Sequence, residues 1–140
     1  IVDASKSTQV GIRTFHDSTE GLQVLTAPWI HREGIGAAIE AVRARAGNAP
    51  VYLSFDIDGL DPAYAPGTGT PVPGGLASWQ ALEFVRGLAG LDLVGMDLVE
   101  VSPPFDHAEI TAIAAAHLAH DWLCLLALAA GAAPRPVGRL

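Results

Sequence analysis

The stretch that most restricts what this chain can fold into is residues 51–75, VYLSFDIDGLDPAYAPGTGTPVPGG. An apolar run ends in two aspartates and opens into a loop of Gly, Pro and Thr. Read as a strand, it sends Asp56 and Asp58 to one face and Phe55 and Ile57 to the other. Two carboxylates crowded at a strand end repel each other unless a cation lies between them. The pair is therefore a candidate metal site, set against the plainer reading of two loop-end carboxylates in water.

The flanking sequence supplies the frame. Residues 9–14 (QVGIRT) and 22–26 (LQVLT) read as short strands, and Pro28 with Trp29 closes the second. Residues 32–46 carry apolar side chains at Ile35, Ala38, Ile39 and Val42, a helical spacing that Gly47 and Pro50 stop. Residues 51–58 follow as a strand apolar enough to be covered on both faces. Ser78 is placed to cap a helix running to about Leu88, and residues 93–101 (LVGMDLVEV) form another buried strand. Asp106 and Glu109 have capping-box spacing at the head of an Ala-rich helix that runs to about Ala130. Residues 131–140, with two prolines and two glycines, read as a loose tail. The order β, β, α, β, α, β, α predicts an α/β fold with a mostly parallel sheet between helical layers. In such sheets ligands bind beyond the carboxyl ends of the strands, where Asp58 and Glu100 fall.

A net charge of −7, with eight Lys and Arg residues in no cluster, argues against a nucleic-acid partner. The single Cys124 excludes an internal disulfide and fits a cytoplasmic location; it reads as a small core residue. The apolar run at residues 110–130 is broken by His117, His120 and Asp121, which favours a buried helix over a membrane span.

A bare D-x-D also serves phosphatases, and Phe-Asp-Ile-Asp-Gly imitates the opening motif of the haloacid dehalogenase type. Those enzymes want Thr where this chain has Leu60, and a lysine downstream, whereas the only lysine is Lys6. The longer string is more specific. S-F-D-I-D, then Asp61-Pro62, then A-P-G-T-G-T-P at residues 65–71 resembles the signature of the ureohydrolase (arginase and agmatinase) family. Q-V-G-I-R at residues 9–13, V-G-M-D-L-V-E-V at 94–101 and E-I-T-A at 109–112 extend the likeness over most of the chain. The wording is closest to agmatinase, since arginases tend to carry Ala at the position of Gly67.

The resemblance implies a three-layer arginase-like fold, of which residues 1–130 are the C-terminal part of a single domain. It implies two Mn²⁺ ions, with Asp56 as a bridging ligand and Asp58 as a ligand to one of them, and a hydroxide shared by the ions as nucleophile. Glu100 matches the glutamate that pairs with the substrate guanidinium, a planar cation suited to a bidentate carboxylate. Thr68 is a weaker candidate for a hydrogen bond to the same group, against an ordinary turn threonine. The implied reaction is hydrolysis of agmatine to putrescine and urea. Guanidinobutyrase, guanidinopropionase and arginase activities, or a non-catalytic truncated remnant, stand as alternatives. A homo-oligomer is implied for the full-length protein.

Asp97, mid-strand, reads as a hydrogen-bonded structural carboxylate, with a supporting role behind the metal ligands as the alternative. His117 and His120 lie three apart, a metal-ligand spacing, but read as packed or capping; His16, His31 and His107 have no assignable partner. The family's G-G-D-H and D-A-H-x-D segments, and its acid–base histidine, do not occur here. The resemblance therefore implies a fragment that is inactive and poorly folded alone, with the strand between those at residues 9–14 and 51–58 missing.

Overall fold

A computed structural model describes residues 2–15 and 18–131. His16 and all of the expected tail beyond Gly131 lie outside the described residues.

Four strands form two separate parallel pairs. β1 (Thr8–Ile12) pairs with β2 (Gln23–Thr26), and β3 (Val51–Asp56) pairs with β4 (Leu93–Val99). No ladder joins β1 to β3 among the described residues. The α/β class and the break between the pairs follow the expectation.

The helices depart from it in instructive ways. Where one helix was expected over residues 32–46 there are two, α1 (Ala27–Glu33) and α2 (Ile35–Ala46). Gly34, at φ 89°, breaks the run between them. Pro28 does not merely end β2. It lies in the first turn of α1, where a missing N–H costs nothing, and the Thr26 hydroxyl accepts from Trp29 N at 3.3 Å. α3 (Ser78–Gly87) starts one residue after its cap position, so Ser78 is not the cap; Gln80 Oε1 instead accepts from Ala77 N at 2.9 Å. Arg43 on α2 closes the other end of α3, donating from Nη1 to Gly87 O at 2.9 Å and Ala89 O at 2.8 Å. α4 (Ile110–Ala129) does not open on a capping box. Glu109 lies in the left-handed region at φ 60°, and Asp106 alone caps, accepting from Thr111 N at 3.0 Å and Ala112 N at 3.1 Å.

One contiguous core runs from Leu25, Ile30 and Ile39 through Phe55 and Ile57 to Phe84, Leu118 and Leu125. β3 turns Phe55 into it and leaves Tyr52, Ser54 and Asp56 exposed. The expectation of a strand covered on both faces therefore fails: one face packs on helices and the other is bare. α4 is likewise not a buried helix. Thr111, Ala115, Leu118, Trp122 and Leu125 face the core, while His117, His120, Leu123 and Cys124 are exposed. Its mean hydropathy of 1.5 would suit a membrane span, but its packing against α3 and β4 is that of a surface helix with one apolar stripe on the domain. Cys124 is thus not a core residue; its Sγ lies 3.7 Å from His120 Nδ1.

The loop after β3 is stapled by Asp61. Its Oδ1 accepts from Ala63 N at 2.9 Å, and its Oδ2 from Gly74 N at 2.7 Å and Gly75 N at 3.2 Å. Leu60 and Leu76 form a parallel bridge beneath it. The Ala63 hydrogen bond leads in holding the Asp61 carboxyl below its ordinary value; burial opposes it, and Gly74, Gly75 and Arg13 add to it. A carboxylate with a depressed folded-state pKa stabilises the fold above its unfolded value, and that stability is lost as pH falls through the folded value. Asp61→Asn is expected to lower stability at pH 7 by about 1 kcal/mol, allowing for solvent screening, and to flatten the loss below about pH 4. Thermal melts between pH 3 and pH 7 measure both (about one melt per pH unit suffices, given the breadth of a single titration).

Candidate metal and guanidinium site

β3 ends at Asp56, and the chain turns at once into a short 3₁₀ turn, Ile57–Gly59. Asp58 is therefore placed by a turn and not by strand alternation. Asp56 Oδ1 accepts from Asp58 N at 3.0 Å, which fixes the second carboxylate relative to the first. Ile57, fully buried, pins the turn to the core.

Parallel pairing brings the end of β4 to the same edge: Asp56 sits opposite Val99, and Glu100 follows. Glu100 adopts φ 67°, a left-handed conformation rare for a residue with a β-carbon. Outliers of this kind cost about 1–3 kcal/mol and concentrate at functional sites. Desolvation first, then the charges of Asp58 and Glu100, raise the Asp56 carboxyl above its ordinary value, against the Asp58 N–H that lowers it. Three carboxylates thus converge on one edge of the sheet.

The glycine loop closes over them. The Thr70 hydroxyl donates to Asp58 Oδ2 at 3.0 Å, and a β-carbon on Gly69 would lie 3.8 Å from Glu100 Oε2. Thr68, the threonine singled out from the sequence, is 2% exposed, and its hydroxyl has no partner among the described residues. Thr70 is the threonine that reaches a site carboxylate. Sequence reasoning passed over it, although it stands two residues further along the same motif.

Arg13 supports the site from the β1 side. Its Nη2 donates to Asp58 O at 2.6 Å, Leu60 O at 3.2 Å and Val72 O at 2.6 Å, and its Nε to Val72 O at 2.9 Å. Asp97 accepts from Tyr52 Oη at 3.0 Å and Ser54 Oγ at 2.6 Å, as expected of a hydrogen-bonded carboxylate. It sits on the bare face, with Tyr52 lying so close over Gly95 that a β-carbon there would be 2.8 Å from the ring.

Two of the described histidines bond backbone carbonyls away from the site carboxylates. His117 is exposed and bonds Ile113 O through Nδ1 at 2.9 Å, and His31 Nε2 lies 3.0 Å from Gly74 O. For His117 and His120 the packed reading fails, since both side chains are on the exposed side of α4. A cleft of about 430 Å³ between Tyr64, α3 and α4 contains none of the site carboxylates.

Oxygen donors crowded without a counter-charge suit a hard divalent cation. Asp56 and Asp58 fit one wall of such a site. Among the described residues no group of three or more His, Cys, Asp or Glu side chains completes it.

The Arginase family model matches residues 1–124, and the chain belongs to that family. It is 59% identical over 126 residues to a protein named agmatinase from Chromobacterium violaceum, covering 90% of this chain and 39% of that protein. A crystal structure of a hypothetical agmatinase from Burkholderia thailandensis superposes with a TM-score of 0.91 at 55% identity, covering 93% of this chain and 41% of the other. The proclavaminate amidino hydrolase of Streptomyces clavuligerus follows at TM-score 0.86 and 42% identity, with 90% and 43% covered. The chain spans about two fifths of the length of the relatives it matches.

Desolvation of Asp56, with repulsion from Asp58 and Glu100, has a measurable consequence. A carboxyl whose pKa is raised on folding destabilises the fold above its unfolded value, and the loss is relieved as pH falls. Asp56→Asn is expected to raise metal-free stability at pH 7 by about 0.5 kcal/mol after solvent screening. It should also abolish any stabilisation by Mn²⁺. Thermal shift with and without Mn²⁺ reads both effects.

Proposed function

We propose that this chain forms one wall of the active site of a manganese-dependent agmatinase, which hydrolyses agmatine to putrescine and urea. The observation that carries the reading is the convergence of Asp56, Asp58 and Glu100 at the carboxyl ends of β3 and β4. It occurs in a chain 59% identical to a protein named agmatinase.

Asp56 and Asp58 would hold the metal, and Asp56 feels the charge of both Asp58 and Glu100. Two Mn²⁺ ions, when bound, would acidify water near neutral pH and offset the negative charge of the site. Glu100 presents its carboxylate to the guanidinium, whose paired N–H groups match it. Thr70, and not the buried Thr68, is the hydroxyl we assign to this face; it also steadies the Asp58 oxygen. Water adds to the guanidinium carbon, the bond to the alkyl nitrogen breaks, and a proton passes to the departing amine. The remaining metal ligands and the acid–base group belong to sequence that this chain does not contain. Among the described residues no three-donor cluster forms, and the second reading is a non-catalytic remnant.

A chimera separates the two. The matching segment of the C. violaceum agmatinase is replaced by this chain, and urea release is followed with agmatine and Mn²⁺. Agmatine turnover at a rate similar to the parent's is expected, and a folded, manganese-loaded chimera that releases no urea would sink the catalytic reading. In the same chimera Glu100→Gln is expected to lower kcat/KM roughly 100-fold with both metal ions retained. Asp56→Asn is expected to remove metal and activity together.

A further inference from the structure

Glu100 and Thr70 come from different loops, and the site needs them in register. The structure ties those loops together at a single glycine. Gly67 N donates to Thr111 Oγ1 at 2.8 Å, and Gly67 O accepts from Ser102 N at 2.8 Å. One residue thus joins the glycine loop both to the first turn of α4 and to the backbone two residues past Glu100.

The α4 end of this tie is itself held. Asp106 accepts from His107 N at 2.9 Å, Thr111 N at 3.0 Å and Ala112 N at 3.1 Å, so Thr111 is fixed by the carboxylate that caps the helix. Thr111 is fully buried, and no water competes for its hydroxyl. The approach is also closed sterically. A β-carbon on Gly67 would lie 2.6 Å from Asp106 Cβ and 2.9 Å from its Cα, inside any real contact. With Asp106 placed as it is in this chain, only glycine fits where the loop meets the helix, which gives the first glycine of A-P-G-T-G-T-P a packing reason.

From this geometry we propose that Thr111 and Asp106 are positioning residues for guanidinium hydrolysis, acting through Gly67 to hold Thr70 and Glu100 in mutual register. The proposal rests on the assignment of Glu100 and Thr70 to the substrate site. Neither Thr111 nor Asp106 touches the site itself. The backbone of Asp56 and Asp58 is held instead by β3 and its turn. Among the described residues the Thr70 hydroxyl is the one link from the glycine loop to a ligand, so loosening the tie should misplace substrate-facing groups and leave the metal content largely intact.

The test uses the chimera. Thr111→Val keeps the shape of the side chain and removes the oxygen that accepts from Gly67 N. It is expected to lower kcat/KM for agmatine roughly 10- to 100-fold. The Mn²⁺ content should stay at the parent's value, and amide exchange at Gly67 and Ser102 should accelerate. Thr111→Ser, which restores the oxygen, should recover kcat/KM to within about threefold of the parent. Unchanged kcat/KM in Thr111→Val, loss of metal along with activity, or a serine variant as impaired as the valine one would each overturn the proposal. Should the valine variant not fold, Asp106→Asn is measured in its place; a smaller loss of the same kind supports the tie, and wild-type kinetics overturn it. If the unmutated chimera releases no urea, the agmatinase reading fails by itself. Amide exchange then decides the tie: faster exchange at Gly67 in Thr111→Val supports it, and unchanged exchange refutes it.

Discussion

The site depends on the parallel pairing of β3 with β4. A parallel ladder sets both carboxyl ends on one edge, so Asp56 and Glu100 meet although more than forty residues of chain separate them. An antiparallel pairing would have sent Glu100 to the far end of the sheet. The register also fixes which face is involved: Asp56 shares a side with Ser54 and Tyr52, while Phe55 is committed to the core. Burial of Phe55 and Ile57 therefore supports the acidic edge indirectly, because it denies the strand any other register.

The acidic edge works against the fold and is retained. Desolvation and like charges that raise the Asp56 carboxyl, and a left-handed Glu100, cost free energy in the metal-free chain. The surrounding contacts that hold the edge in place are backbone-directed: Arg13 on three carbonyls of the Asp58 and Val72 loops, Asp61 on three amides, Gly67 between helix and strand end. Backbone anchoring leaves the site side chains free to face a ligand.

Much of this was legible in the sequence because apolar runs bounded by Gly and Pro are strong signals. All four strands, the parallel class and the placing of Asp56 and Glu100 at the carboxyl ends of β3 and β4 followed from them. What was misread turned on geometry that residue type does not carry. Pro28 serves equally as a stop and as a first-turn residue, and Thr26 in front of it decided for a helix. Asp58 looked like a strand residue because a 3₁₀ turn does not disturb the apolar–polar alternation. Thr68 and Thr70 are indistinguishable by composition, and only the path of the loop turns one inward and the other to Asp58. The exposure of His117, His120 and Cys124 was hidden because an Ala-rich helix has little contrast between its faces.

Arg13 has a further consequence. This member of the Arginase family carries a guanidinium of its own within hydrogen-bonding distance of the Asp58 backbone. In a site built from carboxylates, such a group is an internal competitor. Its Nε and Nη2 are saturated instead by carbonyl oxygens of Asp58, Leu60 and Val72, which accept hydrogen bonds without offering a full negative charge. The native guanidinium is sequestered as mortar in the wall, and the acidic edge is left for a guest.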